Sequence, residues 1–414
     1  MAEIFITGMG MVSALGADIA ENLDALQSGR SGIAALRYLQ TAHKEFPVGE
    51  VKMTNEEMIR RLGIAEDSPT TRTSLMGMLA VEEALRNRPG LLTPNGLRIA
   101  FINGTTVGGM DKSEQYYIDF LENDTKNAYI STHNCGACTE MIADHFGIFS
   151  QIDTISTACS SAANAIMLGA ELLKNGRADI VVAGGCECIS KFHLNGFNTL
   201  MILDREPCRP FDATRAGLNL GEGAAYIVME TAETFNRGIT ENLDLKVYCR
   251  LAGYANTCDA FHQTASSPDG LGAYLAMKGA LEKADMVPED IDYINAHGTG
   301  TQNNDLSEGT AIDRLFGDII PPVSSTKSFT GHTTSAAGGV EAIISILALQ
   351  HNFIPSNLNF RNKIEELTFA PYCVLPSATD DSAHFTDQKL HIDSVLCNSF
   401  GFGGNDTCLI FSKI

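Results

Sequence analysis

No apolar run in this 414-residue chain reaches membrane-spanning length, which takes about 20 consecutive residues. A soluble protein is therefore expected. The opening MAEIFITGMG has no basic stretch ahead of an apolar core, so it does not read as a secretory leader. The 11 cysteines show no regular spacing. That excludes a disulfide scaffold and fits a reducing cytoplasm. Basic residues are scarce, with Lys+Arg 29 against Asp+Glu 50 and a net charge of -21. So acidic a surface excludes nucleic acid or anionic membrane as a general partner. Gly8 and Gly10 begin like a dinucleotide-binding loop, but Ser13 stands where the third glycine would fall. This rules out a nicotinamide-type oxidoreductase and leaves a tight strand-to-helix turn after a strand at 4–7. Cys135-x-x-Cys138 has no second pair at zinc-ribbon spacing, which argues against a metal site.

What is present is a large apolar complement, 44% hydrophobic with 38 glycines, ample for a sizeable core. Strand-like runs alternate with helical ones over about 230 residues, the pattern of a layered α/β domain. Helices are expected at about 17–28 and 55–85, and strands at 98–103, 180–185 and 224–230. From about Leu245 the pattern starts again. Two halves, 1–244 and 245–414, suggest an internal duplication, although residue identity does not demonstrate it.

The first half is organised around 152–176, IDTISTACSSAANAIMLGAELLKNG. It reads as a short buried strand, an elbow at Cys159, and a helix from Ser160 closed by Gly176. A thiol at a helix N-terminus loses its proton more easily, which suits a nucleophile. The alternative is an inert buried cysteine. His297 follows a strand in NAHGTGT, and His332 precedes a helix in SSTKSFTGH. Each has a glycine beside it, and loops at strand ends favour function. Lys327 can hold the His332 ring neutral by like-charge repulsion. Phe400, in CNSFGFGGN, reads as a hinged aromatic gate whose backbone N–H faces the nucleophile.

These segments, with RPFD at 209–212 and GEGA at 221–224, resemble the elongating β-ketoacyl-[acyl-carrier-protein] synthases, most closely type II. The resemblance implies a thiolase-like fold, two duplicated halves in a five-layer α-β-α-β-α sandwich, normally dimeric. It implies that Cys159 accepts an acyl group, and that His297 and His332 promote malonyl decarboxylation. Lys327 would support His332, and Glu341 would belong to the same polar network. The N–H groups of Cys159 and Phe400 would form an oxyanion hole, and Val107 would line the acyl pocket. No metal or organic cofactor is implied, since acyl carrier protein brings its own phosphopantetheine arm. Because such carriers are acidic, Arg60, Arg61 and Arg205 are the expected landing site. The chain departs from the family at Thr333-Thr334-Ser335, at Asn405-Asp406 and at Ala216. The activity the resemblance implies is condensation in fatty-acid chain elongation. The departures count against ordinary saturated substrates and keep, as the alternative, a specialised polyketide or aryl-polyene ketosynthase that can pair with a cysteine-less subunit. A thiolase would need a second cysteine as base, and NSFGFGG supplies none.

Overall fold

Apolar and β-branched runs set ten strands in the computed structural model, which describes residues 3–92, 96–123, 127–240, 244–374 and 390–414. They are β1 (Ile4–Ser13), β2 (Ile99–Gly104), β3 (Gln151–Ile155), β4 (Ile180–Glu187), β5 (Gly223–Thr231), β6 (Cys249–Cys258), β7 (Tyr293–Asn295), β8 (Val323–Ser324), β9 (Ser394–Gly401) and β10 (Asn405–Ser412). Their spatial order is β3-β2-β4-β5-β1-β6-β10-β9-β7-β8. β1 and β6 meet only through Phe5 opposite Arg250 and Ile6 opposite Cys249. Outward from that narrow junction, both halves run in the same order, first strand, fifth, fourth, second, third. The duplication invisible in residue identity is thus explicit in topology.

Helices complete five layers. The helix Arg72–Arg86 packs on the outer side of β1 and β5, and Leu271–Ala284 packs likewise on β6 and β10. The helices Ser161–Lys174 and Ala337–His351 pack against each other and against the strands of both halves of the sheet, β2 and β4 for the first and β5 and β9 for the second. The second reads AGGVEAIISILALQH and is buried from Ala337 to Leu349. A helix apolar on all sides belongs inside. Each fully buried Ile or Leu there contributes about 1.5–3 kcal/mol relative to exposure.

Three expectations are corrected. β1 runs through the glycines to Ser13 instead of turning at them. A Cβ on Gly10 would lie 2.0 Å from the Ala80 carbonyl oxygen, so the glycine admits the Arg72–Arg86 helix to the strand. The single helix expected at 55–85 is two, Asn55–Leu62 and Arg72–Arg86, because Gly63 ends the first with φ 66°. β3 is an edge strand, with Ile152 40% exposed, and not a buried one.

Candidate active site

Cys159 lies on the elbow between β3 and Ser161–Lys174, just ahead of the N-cap Ser160. The elbow is strained. Ala158 has φ 51°, a left-handed conformation that disfavours a side chain by about 1–2 kcal/mol. Hydroxyls hold it there. Ser161 donates to the Ala158 carbonyl at 2.6 Å, and Ser160 to the Thr157 carbonyl at 2.8 Å. Asn405, one of the departures, accepts from Ser160 at 2.7 Å and from Asn164 at 2.8 Å. It ties the elbow to the glycine turn between β9 and β10.

Both histidines converge on this elbow. His332 Nε2 stands 3.1 Å from the Cys159 sulfur. The His297 and His332 rings are 5.3 Å apart and nearly perpendicular. The duplicated fold explains the meeting, because the loops after β7 and β8 lie at the same level as the loop after β3. His332 is fixed through its backbone. Its N–H donates to the Asn219 carbonyl at 2.7 Å, and its carbonyl accepts from Gly221 at 2.9 Å. His297 is fixed by Glu308, whose carboxylate takes the His297 and Gly298 N–H groups at 2.8 Å each. Sequence reading missed Glu308, because only the Gln302–Phe316 helix returns it to the histidine.

Lys327 was expected beside His332, but its hydrogen bonds go to His297. Its Nζ donates to His297 Nδ1 at 3.2 Å and to the His297 carbonyl at 2.6 Å, and it is ion-paired with Glu341. Lysine offers only donors, so Nδ1 accepts and the proton of a neutral His297 ring sits on Nε2. Burial, then the Lys327 charge, then His332 hold the His297 pKa well below its usual value. Burial and the Lys327 charge do the same for His332, with a smaller push from His193. Lys327 thus keeps both rings neutral while touching one. Glu341 is pushed up to about 7 by burial, against the pull of Lys327.

The thiol is a second correction. Burial raises the Cys159 pKa to about 11, although Lys327 and the backbone N–H groups of Phe402 and Cys159 pull it down. Helix-end stabilisation loses to desolvation, because Cys159 is only 6% exposed. The resting pair is a neutral thiol beside a neutral imidazole.

The aromatic gate is a third correction. Phe400 lies within β9 opposite Asp406, is 5% exposed, and has its ring 5.7 Å from that of His297. The residue whose N–H reaches the sulfur is Phe402. It stands in the turn between Gly401 and Gly403, the latter with φ 86°, and stacks on Phe197 at 6.0 Å. Glycine on both sides was the signal, and only Phe402 has it.

Cys159, His297 and His332 line one cavity of about 420 Å³. Apolar Phe197, Met201 and Ile202, polar Thr299 and Asn303, and the departure Ala216 also line it. Val107 does not line this cavity. It is buried and its N–H donates to Glu187 at 3.4 Å. Arg60 and Arg61 are exposed on the last turn of Asn55–Leu62, and Arg205 is exposed near the Glu45 carboxylate. None of the three lines the cavity. Cys135 begins the helix Cys135–Phe146, and no metal-binding cluster of His, Cys, Asp and Glu occurs among the described residues.

Two family models cover most of the chain, "Beta-ketoacyl synthase, N-terminal domain" over residues 1–234 and "Beta-ketoacyl synthase, C-terminal domain" over 248–361. The chain belongs to the β-ketoacyl synthase family. Nodulation protein E of Rhizobium meliloti (strain 1021) is 33% identical over 424 residues, covering 100% of this chain and 99% of that protein. The 3-oxoacyl-[acyl-carrier-protein] synthase 2 of Coxiella burnetii is 31% identical over 433 residues, covering 100% of this chain and 99% of that protein. Among solved structures, the ishigamide ketosynthase/chain length factor superposes with TM-score 0.87 at 27% identity, covering 100% of this chain and 99% of that one. The ketosynthase ApeO in complex with its chain length factor ApeC, from Xenorhabdus doucetiae, gives 0.81 at 29% identity, covering 100% and 98%. The five-layer arrangement is the thiolase-like fold of this β-ketoacyl synthase family. No described helix is long and apolar enough to cross a membrane.

Proposed function

We propose that this β-ketoacyl synthase joins an acyl group held on Cys159 to malonyl-acyl carrier protein, with loss of carbon dioxide, giving β-ketoacyl-acyl carrier protein. The observation that carries this is the 3.1 Å contact between the thiol and His332, with His297 beside them in one cavity. In the first step the sulfur attacks an acyl thioester, and His332 Nε2 takes the thiol proton and returns it to the departing pantetheine thiolate. The N–H groups of Cys159 and Phe402 receive the carbonyl oxygen as it turns negative, usually the largest catalytic term. In the second step a malonyl thioester loses carbon dioxide, and His297 and His332 donate hydrogen bonds to the enolate oxygen. The enolate carbon attacks acyl-Cys159, the C–S bond breaks, and the Cys159 thiolate leaves and takes one proton from solvent. Neutral rings suit this work, since each offers one N–H without a charge to be desolvated. The reaction calls for no metal and no organic cofactor beyond the carrier's own arm. Phe402 replaces Phe400 as the gate residue.

The primary reading is fatty-acid chain elongation, supported by relatives named 3-oxoacyl-[acyl-carrier-protein] synthase 2. A specialised reading is supported by the likeness to two ketosynthases solved with a chain length factor. In it the substrate is a growing polyketide or aryl polyene, and the partner is a cysteine-less homologue. The exposed edge of β3 supports pairing with a second subunit, of the same or the related kind. A cytoplasmic location and a boundary between halves near 244 belong to the same reading. The test is mass spectrometry of the intact protein after incubation with a panel of acyl-carrier thioesters, saturated and polyunsaturated. A mass increase on Cys159, absent in Cys159→Ala, is expected. An unmodified Cys159 across the panel would contradict the reading.

A further inference from the structure

The two elbows of the duplicated fold differ in what they carry. The same count of residues separates Ala158 from Thr334 and Ser161 from Ala337. Ala158 and Thr334 are both left-handed, with φ 51° and 47°, and Ser161 and Ala337 both begin central helices. Ser335 is therefore the second half's counterpart of Cys159. It is fully buried, and it ends the departure Thr333-Thr334-Ser335.

Its hydroxyl donates to Glu187 Oε2 at 2.6 Å. Glu187 ends β4, is fully buried, and has no ion-pair partner within 4.0 Å among the described residues. Its carboxylate also accepts from Thr105 Oγ1 at 3.0 Å, and from the N–H of Thr106 at 2.7 Å and of Val107 at 3.4 Å. Buried acceptors left without donors are costly, so this set fixes where each donor stands. One carboxylate thus fastens the turn after β2 to the strained turn just beyond His332.

We propose that Ser335 and Glu187 form a clasp that positions His332 against Cys159. The strain at Thr334 would relax if the clasp opened, and His332 lies only two residues before it. This rests on the reading that His332 takes the thiol proton. A misplacement of about 1 Å at a reacting group is worth up to about a hundredfold in rate. A partial release should cost about tenfold.

The test uses the full chain and the rate of acyl transfer to Cys159 from an acyl thioester. Ser335→Ala should load about tenfold more slowly, with KM for the thioester within about twofold and an unchanged melting transition. In a His332→Ala background it should add no further loss, whereas in a His297→Ala background the tenfold loss should persist. Glu187→Gln should follow the same pattern, and if one variant fails to fold the other decides. Wild-type loading by Ser335→Ala, or an equal loss in the presence and absence of His332, overturns the clasp alone. A wild-type chain that takes no acyl group at Cys159 overturns the proposed function as well.

Discussion

His297 and His332 share a depth of burial, 2% exposure each, and the same depressed basicity, yet they are wired differently. His297 is held through its ring, by Lys327 on Nδ1, with Glu341 behind the lysine. His332 is held through its backbone, and among the described residues its Nδ1 has no hydrogen-bond partner. Its other nitrogen faces the thiol. The difference teaches that the two rings have separable tasks. The tautomer of His297 is imposed, so it serves as a fixed donor. That of His332 is free to change, so it can accept a proton and give it back.

The largest effects should expose that division. Both His297→Ala and His332→Ala should lower condensation by about a hundredfold to a thousandfold, the usual loss of a preorganised donor. Only His332→Ala should also slow acyl loading, by about a hundredfold, the lower end of the range for general-base assistance. Stopped-quench measurement of each half-reaction separates the two. Equal loading rates in both variants would break the comparison. Next in size, Lys327→Ala should lower condensation by about tenfold to a hundredfold, because it releases the His297 tautomer, and should slow loading by less, through the lost charge that draws the Cys159 pKa down. A loss confined to loading would assign the lysine to His332 after all.

Much of this site was legible in the chain. Cys159 and His297 each sit where a strand gives way to a loop of small residues, His332 sits in a small-residue loop ahead of a helix, and those placements survive folding. Lys327 was legible as a charge near a histidine, but not which histidine. Sequence distance pointed to His332, five residues on, whereas the side chain reaches back under His297. Phe400 was misread because alternation along β9 was not followed to its end, where the strand stops at Gly401. Glu308 and Glu187 left no local mark, since helix and sheet bring them to the site from elsewhere. The charge state of Cys159 was misjudged for a physical reason. A helix end is a local feature, readable from sequence, while desolvation is a property of the whole packed interior.

The central claim is that the resting thiol and the imidazole facing it are both uncharged. The direct test is the rate of iodoacetamide alkylation of Cys159 against pH, followed by intact mass with Cys159→Ala as the blank. Because the thiol is pushed up to about 11, the rate should climb about tenfold per pH unit from 7 through 10 without levelling. A plateau reached below pH 8 would mean a thiolate–imidazolium pair, and would contradict the account.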